Sequence, residues 1–143
     1  MVLVVVTVAL INVILRGNVA PTPPLFADGF TLTQAIAKAQ GTDRPVIAVA
    51  SANWCGPCQT YKRTALSDPR VTDWVGANAV PVYIDVSDGI PAEAVPLNIQ
   101  PIPATFVLRD GEVVASFAGA LPADDLLGWL ETQATPRAAN VAP

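Results

Sequence analysis

With 143 residues, the chain has material for one domain with a real core and too little for two. Its formal charge of −4 and pI near 4.5 leave no basic patch for nucleic acid to bind, so that class of partner is excluded. No histidine and only two cysteines are present, too few of the usual ligands for a structural zinc site, and neither a metal nor a cofactor is expected.

Residues Val2 to Leu15 are apolar except Thr7 and Asn12, and no side chain carries a charge before Arg16. As a helix this run reaches about 21 Å, short of a hydrocarbon core of roughly 30 Å unless it runs on through Val19 and Ala20 with Arg16 snorkelling. Residues 1–16 are therefore expected to be a secretion signal or a membrane anchor. A valine-rich start also fits a buried β-strand. The basic residues that usually precede a signal are missing, and Arg16 beyond the run gives only a weak argument about orientation. From residue 17 to about residue 30 the composition turns to Pro, Gly, Asn and Thr, including Pro21, Pro23 and Pro24. That reads as an extended linker unable to pack a core.

Thr31 and Gln34 form the pattern of a capping box. Leu32, Ala35, Ile36 and Ala39 follow at helical spacing until Gly41. Pro45 to Ala50 is a short apolar run of the kind that becomes a strand buried on both faces. Beyond Cys58, Tyr61, Ala65 and Leu66 give one apolar helical face, with Lys62 and Arg63 expected toward solvent. Asp68 and Pro69 restart a helix as N-cap and first residue, with Val71, Trp74 and Val75 inward. Val80 to Val86 is a second strand, and a short helical piece spans Ala92 to Leu97. Ala104 to Leu108 and Glu112 to Phe117 make a hairpin about Asp110-Gly111. Pro122 opens a last helix carrying Leu126, Leu127 and Leu130, with Trp129 beside them, and residues 134–143 read as a flexible tail. A strand-helix-strand unit followed by a hairpin predicts an α/β fold with a central mixed sheet flanked by helices.

Both cysteines fall in Trp54-Cys55-Gly56-Pro57-Cys58, directly after the first predicted strand. Haem attachment needs a histidine after the second cysteine, where Gln59 stands. An inert short disulfide and a redox-active pair are the readings that remain.

These residues resemble the thioredoxin superfamily over about residues 31 to 133. The likeness is carried by Trp54-Cys55-Gly56-Pro57-Cys58, Ile102-Pro103-Ala104-Thr105, Asp110-Gly111-Glu112-Val113 and Phe117-Ala118-Gly119-Ala120-Leu121, in that order. Ala65-Leu66-Ser67-Asp68-Pro69-Arg70-Val71 is similar to the segment after the CxxC in the C-terminal periplasmic domain of bacterial transmembrane thiol-disulfide interchange proteins. The resemblance implies a thioredoxin fold, a cis peptide before Pro103 opposite the cysteines, and substrate pairing along the backbone of Ile102. In the family a Gly-Pro dipeptide, here Gly56-Pro57, accompanies reducing members. Beside the resemblance, a cysteine at a helix N-terminus meets unsatisfied N–H groups and the positive dipole end, which favour thiolate. Cys55 is then the nucleophile and Cys58 the resolving thiol. An inert bridge explains less, because closing so short a loop gains little chain entropy.

Three departures accompany the likeness. The family's buried aspartate, six residues before the first cysteine, is replaced by Val49. Its lysine partner falls near Pro81, and Ser51 stands where an aromatic residue is common. Trp54 is read as a flat wall beside the sulfur, and Trp74 and Trp129 as core.

The expected function is a membrane-associated or exported thiol-disulfide oxidoreductase that reduces protein disulfides. It would draw electrons from a reductase or membrane thiol carrier and work as a monomeric domain on the periplasmic or extracytoplasmic side, with the cytoplasm as the alternative. A dedicated redox partner or assembly subunit of a membrane complex is the rival reading, as is a disulfide oxidant or isomerase.

Overall fold

A computed structural model describes residues 2–134, with the side chains of residues 2, 12, 13, 15–17 and 134 outside that description. The valine-rich start is a helix, α1 (Val2–Gly17), not the strand that its β-branched residues also permit. Its described side chains, from Leu3 through Ile14, are exposed. Among the described residues no helix is long and apolar enough to cross a membrane. The Arg16 side chain, expected to snorkel, and the tail beyond Ala134 lie outside the described residues.

Four strands form one mixed sheet in the order β2-β1-β3-β4: β1 (Val46–Ser51), β2 (Val80–Asp85), β3 (Ala104–Arg109) and β4 (Glu112–Ala118). β1 runs parallel to β2 and antiparallel to β3, and β3 pairs antiparallel with β4. Every residue of β1 is buried, as expected of an uncharged central strand covered on both faces. The β3–β4 turn is Asp110-Gly111, with φ of 52° and 82°. Two positive φ values in a row are what a two-residue hairpin following the strand twist requires, and Asp-Gly accommodates them.

Alternate residues of β1 serve opposite cores. Val46, Ala48 and Ala50 pack with Leu32 and Ala35 of α2 (Leu32–Ala39) and with Ala94 and Leu97 of a 3-10 turn at Ala92–Leu97. Ile47 and Val49 pack under α3 (Gly56–Arg63), α4 (Pro69–Asn78) and α5 (Ala123–Ala134), through Tyr61, Val71, Val75, Leu126 and Leu130. The period of two along a strand divides the side chains in this way. Thr31 closes the expected capping box on α2, and Asp68 caps α4 with its carboxylate on the Arg70 amide.

The linker expectation needs correction. Residues 17–30 include a 3-10 turn, Pro24–Phe26, whose Leu25 and Phe26 are buried in the α3/α4/α5 core, Phe26 lying 5.6 Å from the Tyr83 ring. These two apolar side chains help to hold the segment on the domain. Farther along, the Ala20 amide donates to Gln59 Oε1 at 2.7 Å and Arg63 donates to the Asn18 carbonyl at 2.7 Å. The stretch from α1 to the domain is thus fastened to α3.

Candidate functional site

Cys55 lies just past β1, at the point where the chain turns into α3. It is the N-cap of that helix, and its Sγ accepts the Cys58 amide at 3.2 Å. Gly56 and Pro57 fill the first two helical positions, where the proline's missing N–H leaves nothing unpaired. Cys55 and Cys58 form a disulfide with an S–S distance of 2.13 Å. Cys55 is 7% exposed and Cys58 fully buried, so a reactant from solvent reaches the sulfur of Cys55 first.

The residues singled out in the sequence meet around this bond. The Ile102–Pro103 peptide is cis, as is Gln100–Pro101. The Ile102 carbonyl oxygen lies 4.0 Å from Cys55 Sγ, and the buried Pro103 accepts the Gly119 amide at 2.7 Å, which ties the loop to the end of β4. Trp54 is 70% exposed and lies outside the core. It lines an apolar groove of about 450 Å³ with Val86, Ile90, Ile99, Pro101 and Ile102. Trp74 is half-buried against the α3/α4/α5 core, and Trp129 stacks edge-on to Phe117 at 4.7 Å.

Sequence reasoning passed over the residues that steady Trp54. Its Nε1 donates to the Ser87 carbonyl at 3.2 Å, and the Asn53 amide donates to Ser87 Oγ at 2.8 Å. Asp85 Oδ1 accepts the Ser87 amide at 2.8 Å and the Ser87 hydroxyl as well. An aspartate two residues before a serine, at the end of a strand, is the available signal for such a turn. Gln59, read only as the residue that excludes haem, is buried and also donates to the Ala52 carbonyl at 2.9 Å. It therefore bridges the loop before Cys55 and the N-terminal segment.

Behind the disulfide the structure corrects one expectation, at Lys62. Val49 is buried as expected, and its register partner on β2 is Tyr83, with Pro81 opposite Ile47. Lys62, expected to face solvent, is only 3% exposed, with Nζ 5.4 Å from the centre of the Tyr83 ring. Burial pushes its ammonium pKa down, Asp85 partly restores it, and Arg63 lowers it further. Ser51 Oγ and Tyr83 Oη are buried with no hydrogen-bond partner of normal geometry. Burial also raises the Tyr83 pKa, an effect that the neighbouring Ser51 hydroxyl only partly offsets. Tyr61, next to Lys62, is pushed up to about 12 by burial, against the opposing effect of its 3.3 Å contact with Thr105 Oγ1.

Such a site can exchange disulfides. One sulfur is reachable at a helix N-terminus, a second waits behind it in the same bond, and an apolar groove with an adjacent backbone carbonyl can receive an extended segment.

Comparison with known proteins agrees with this geometry. Residues 32–134 match the model of a thioredoxin-like domain family. The chain is 33% identical over 92 residues to thioredoxin Y2, chloroplastic, of Arabidopsis thaliana, covering 64% of this chain and about half, 53%, of that relative. It is 32% identical over 89 residues to thioredoxin C-2 of Corynebacterium nephridii, covering 62% of this chain and 79% of that one. The solution structure of a thioredoxin from Thermus thermophilus superposes with a TM-score of 0.63 at 26% identity, over 72% of this chain and 83% of that one. The chain belongs to the thioredoxin-like domain family.

Proposed function

We propose that the protein is a thiol-disulfide oxidoreductase that reduces disulfide bonds in other proteins. The observation that carries this reading is the Cys55–Cys58 pair at the start of α3, one sulfur accessible and one buried, facing the cis Ile102–Pro103 peptide. In the reduced protein the Cys55 thiolate attacks one sulfur of a client disulfide. A mixed disulfide forms, and the client's other sulfur leaves as thiolate and takes up a proton. Cys58 then loses its proton and attacks Cys55 Sγ, re-forming the intramolecular bond and releasing the second client thiol. Two electrons pass from the dithiol to the client. They are restored by a separate dithiol donor, a reductase or a membrane thiol carrier.

In this reading Trp54 and Ile102 border the groove that takes the client chain, and the Ile102 backbone pairs with it. The uncharged apolar run from Val2 to Leu15 supports a place at a membrane or beyond it, on the extracytoplasmic side. The likeness of Ala65–Val71 to periplasmic electron-transfer domains supports the same place.

Replacing Cys58 with alanine tests the reading directly. The variant is expected to accumulate mixed disulfides through Cys55, and mass spectrometry of the trapped adducts names the clients. Absence of any adduct from cells that contain folded variant would overturn the proposal. A redox potential well above the reducing range would make the protein an oxidant or isomerase. Fractionation of cells into membrane, periplasmic and cytoplasmic pools decides the location.

A further inference from the structure

Lys62 is a buried cation to which the exchange steps above assign nothing. It follows Cys58 by four residues on α3, so the two side chains share one face of the helix about 6 Å apart along its axis. Helical side chains lean toward the N-terminus, which inclines Lys62 back toward the disulfide. The groups facing it are few. From β2 come Tyr83, whose ring lies under Nζ, and the exposed carboxylate of Asp85. On β1, Ser51 is in register with Asp85, and its buried hydroxyl, with no hydrogen-bond partner of normal geometry, adjoins the Tyr83 hydroxyl. On α3 the nearest charge is Arg63, and beyond the helix Ser67 Oγ donates to the Lys62 carbonyl at 2.6 Å. In place of a carboxylate at position 49 the rear of the site thus holds an ammonium.

We propose that Lys62 is a positioning residue for the dithiol: its buried ammonium stabilises the thiolate of Cys58, speeding the step in which Cys58 attacks Cys55 Sγ and releases the client. This deepens the oxidoreductase reading and rests on it. In that step Cys58 gives its proton to water, the new S–S bond forms, and the Cys55–client bond breaks with the electron pair leaving on the client sulfur. Lys62 exchanges no proton and makes no bond. A cation on the same helix face, its Nζ over the Tyr83 ring that lies opposite Val49, favours the anionic form of the thiol, and low solvent exposure keeps the attraction from being screened. Asp85 at the rim opposes the effect without cancelling it, being exposed to water.

The test is the pH dependence of client release, measured by rapid quench on the preformed mixed disulfide of the full chain with a small protein disulfide. In Lys62→Met the apparent pKa of release is expected to rise by about one unit, and the rate at pH 7 to fall about tenfold. Lys62→Arg should recover most of the rate. Equal thermal stability with an unmoved midpoint in Lys62→Met would overturn the proposal, as would a loss of rate that Lys62→Arg shares in full. A second measurement needs no variant. Lys38 and Lys62 are the only lysines in the sequence, so both can be followed by carbon-13 NMR. If Lys62 is coupled to the thiols, its own titration midpoint is higher in the reduced protein than in the oxidised one. Identical Lys62 midpoints in the two states would refute the coupling. Failure of Cys58→Ala to trap any client would refute the oxidoreductase reading and leave this NMR result standing on its own.

Discussion

The two sides of the disulfide are built differently. In front, Trp54, Ile102 and Pro101 form an apolar groove, and the backbone beside Cys55 is held by the cis Ile102–Pro103 peptide and the Ser87–Asp85 turn. Behind, Ser51, Lys62 and Tyr83 make a polar cluster, with the Ser51 and Tyr83 hydroxyls buried without a hydrogen-bond partner of normal geometry. Most of the front lies on loops, whose side chains can change without disturbing the sheet. The rear is packed between a helix and two strands, so its polar groups are costly to bury and persist only where something compensates them. Recognition and chemistry can be varied separately in such an arrangement, the first at the groove and the second from below.

The largest effect is expected at the front. Cys55→Ser should abolish reduction of protein disulfides, lowering kcat/KM by more than about a thousandfold, because no other thiol can attack from the surface. An insulin-type turbidity assay reads this directly, and substantial residual activity would mean that Cys58 can reach substrate. Next comes the rear wall. Phe26→Ala, in the core under α4 and against Tyr83, is expected to cost about 3–5 kcal/mol in denaturant unfolding, as for other buried aromatic truncations. A cost below about 1 kcal/mol would show that the 3-10 turn at Pro24–Phe26 is dispensable. Trp54→Ala separates the two sides most clearly. It should raise KM for a protein client about tenfold while leaving stability within about 0.5 kcal/mol, since the indole is exposed.

The smallest expected effect lies on the opposite face of the sheet and serves as a control for both. Glu93 accepts the Leu32 amide at 2.9 Å and the Thr33 amide and hydroxyl at 3.2 Å and 2.8 Å. Burial pushes its carboxyl up, but these hydrogen bonds together outweigh it and leave the folded pKa below that of a free glutamate. A depressed folded pKa gives stability that is present above the unfolded pKa and lost as pH falls through the folded one. Wild type should therefore lose more stability than Glu93→Gln as pH falls below about 4.3, with no change in disulfide exchange at pH 7. Parallel stability curves for the two proteins would remove Glu93 as a helix anchor.

Much of the fold and of the reactive centre was readable from the chain. An uncharged apolar run located β1, Thr31 and Gln34 capped α2, Asp110-Gly111 fixed the hairpin, and the CxxC fell between a strand and a helix. Those features depend on local pattern or on a few backbone positions, and local rules suffice for them. The rear depends on long-range placement. Lys62 follows Tyr61 in sequence and looks like one of a pair of solvent-facing cations with Arg63, yet its aliphatic stem is long enough to run inward under the helix. Leu25 and Phe26 are isolated among prolines and give no periodicity, so nothing local says that they reach Tyr83. That Tyr83 lies opposite Val49 is a matter of register between parallel strands, which is set by packing across the crossover and not by any local pattern.

The carboxamide of Gln59 has a bearing on where this molecule can be cut. It joins the Ala20 amide to the Ala52 carbonyl, with Arg63 on the Asn18 carbonyl as a second strap. A fragment that began at residue 32, where the family match begins, would take the Ala20 donor from this amide oxygen and strip Leu25 and Phe26 from the core. The contacts that fasten the chain to the domain begin near residue 18. A shortened version cut there keeps them, although those residues lie outside the shared family pattern.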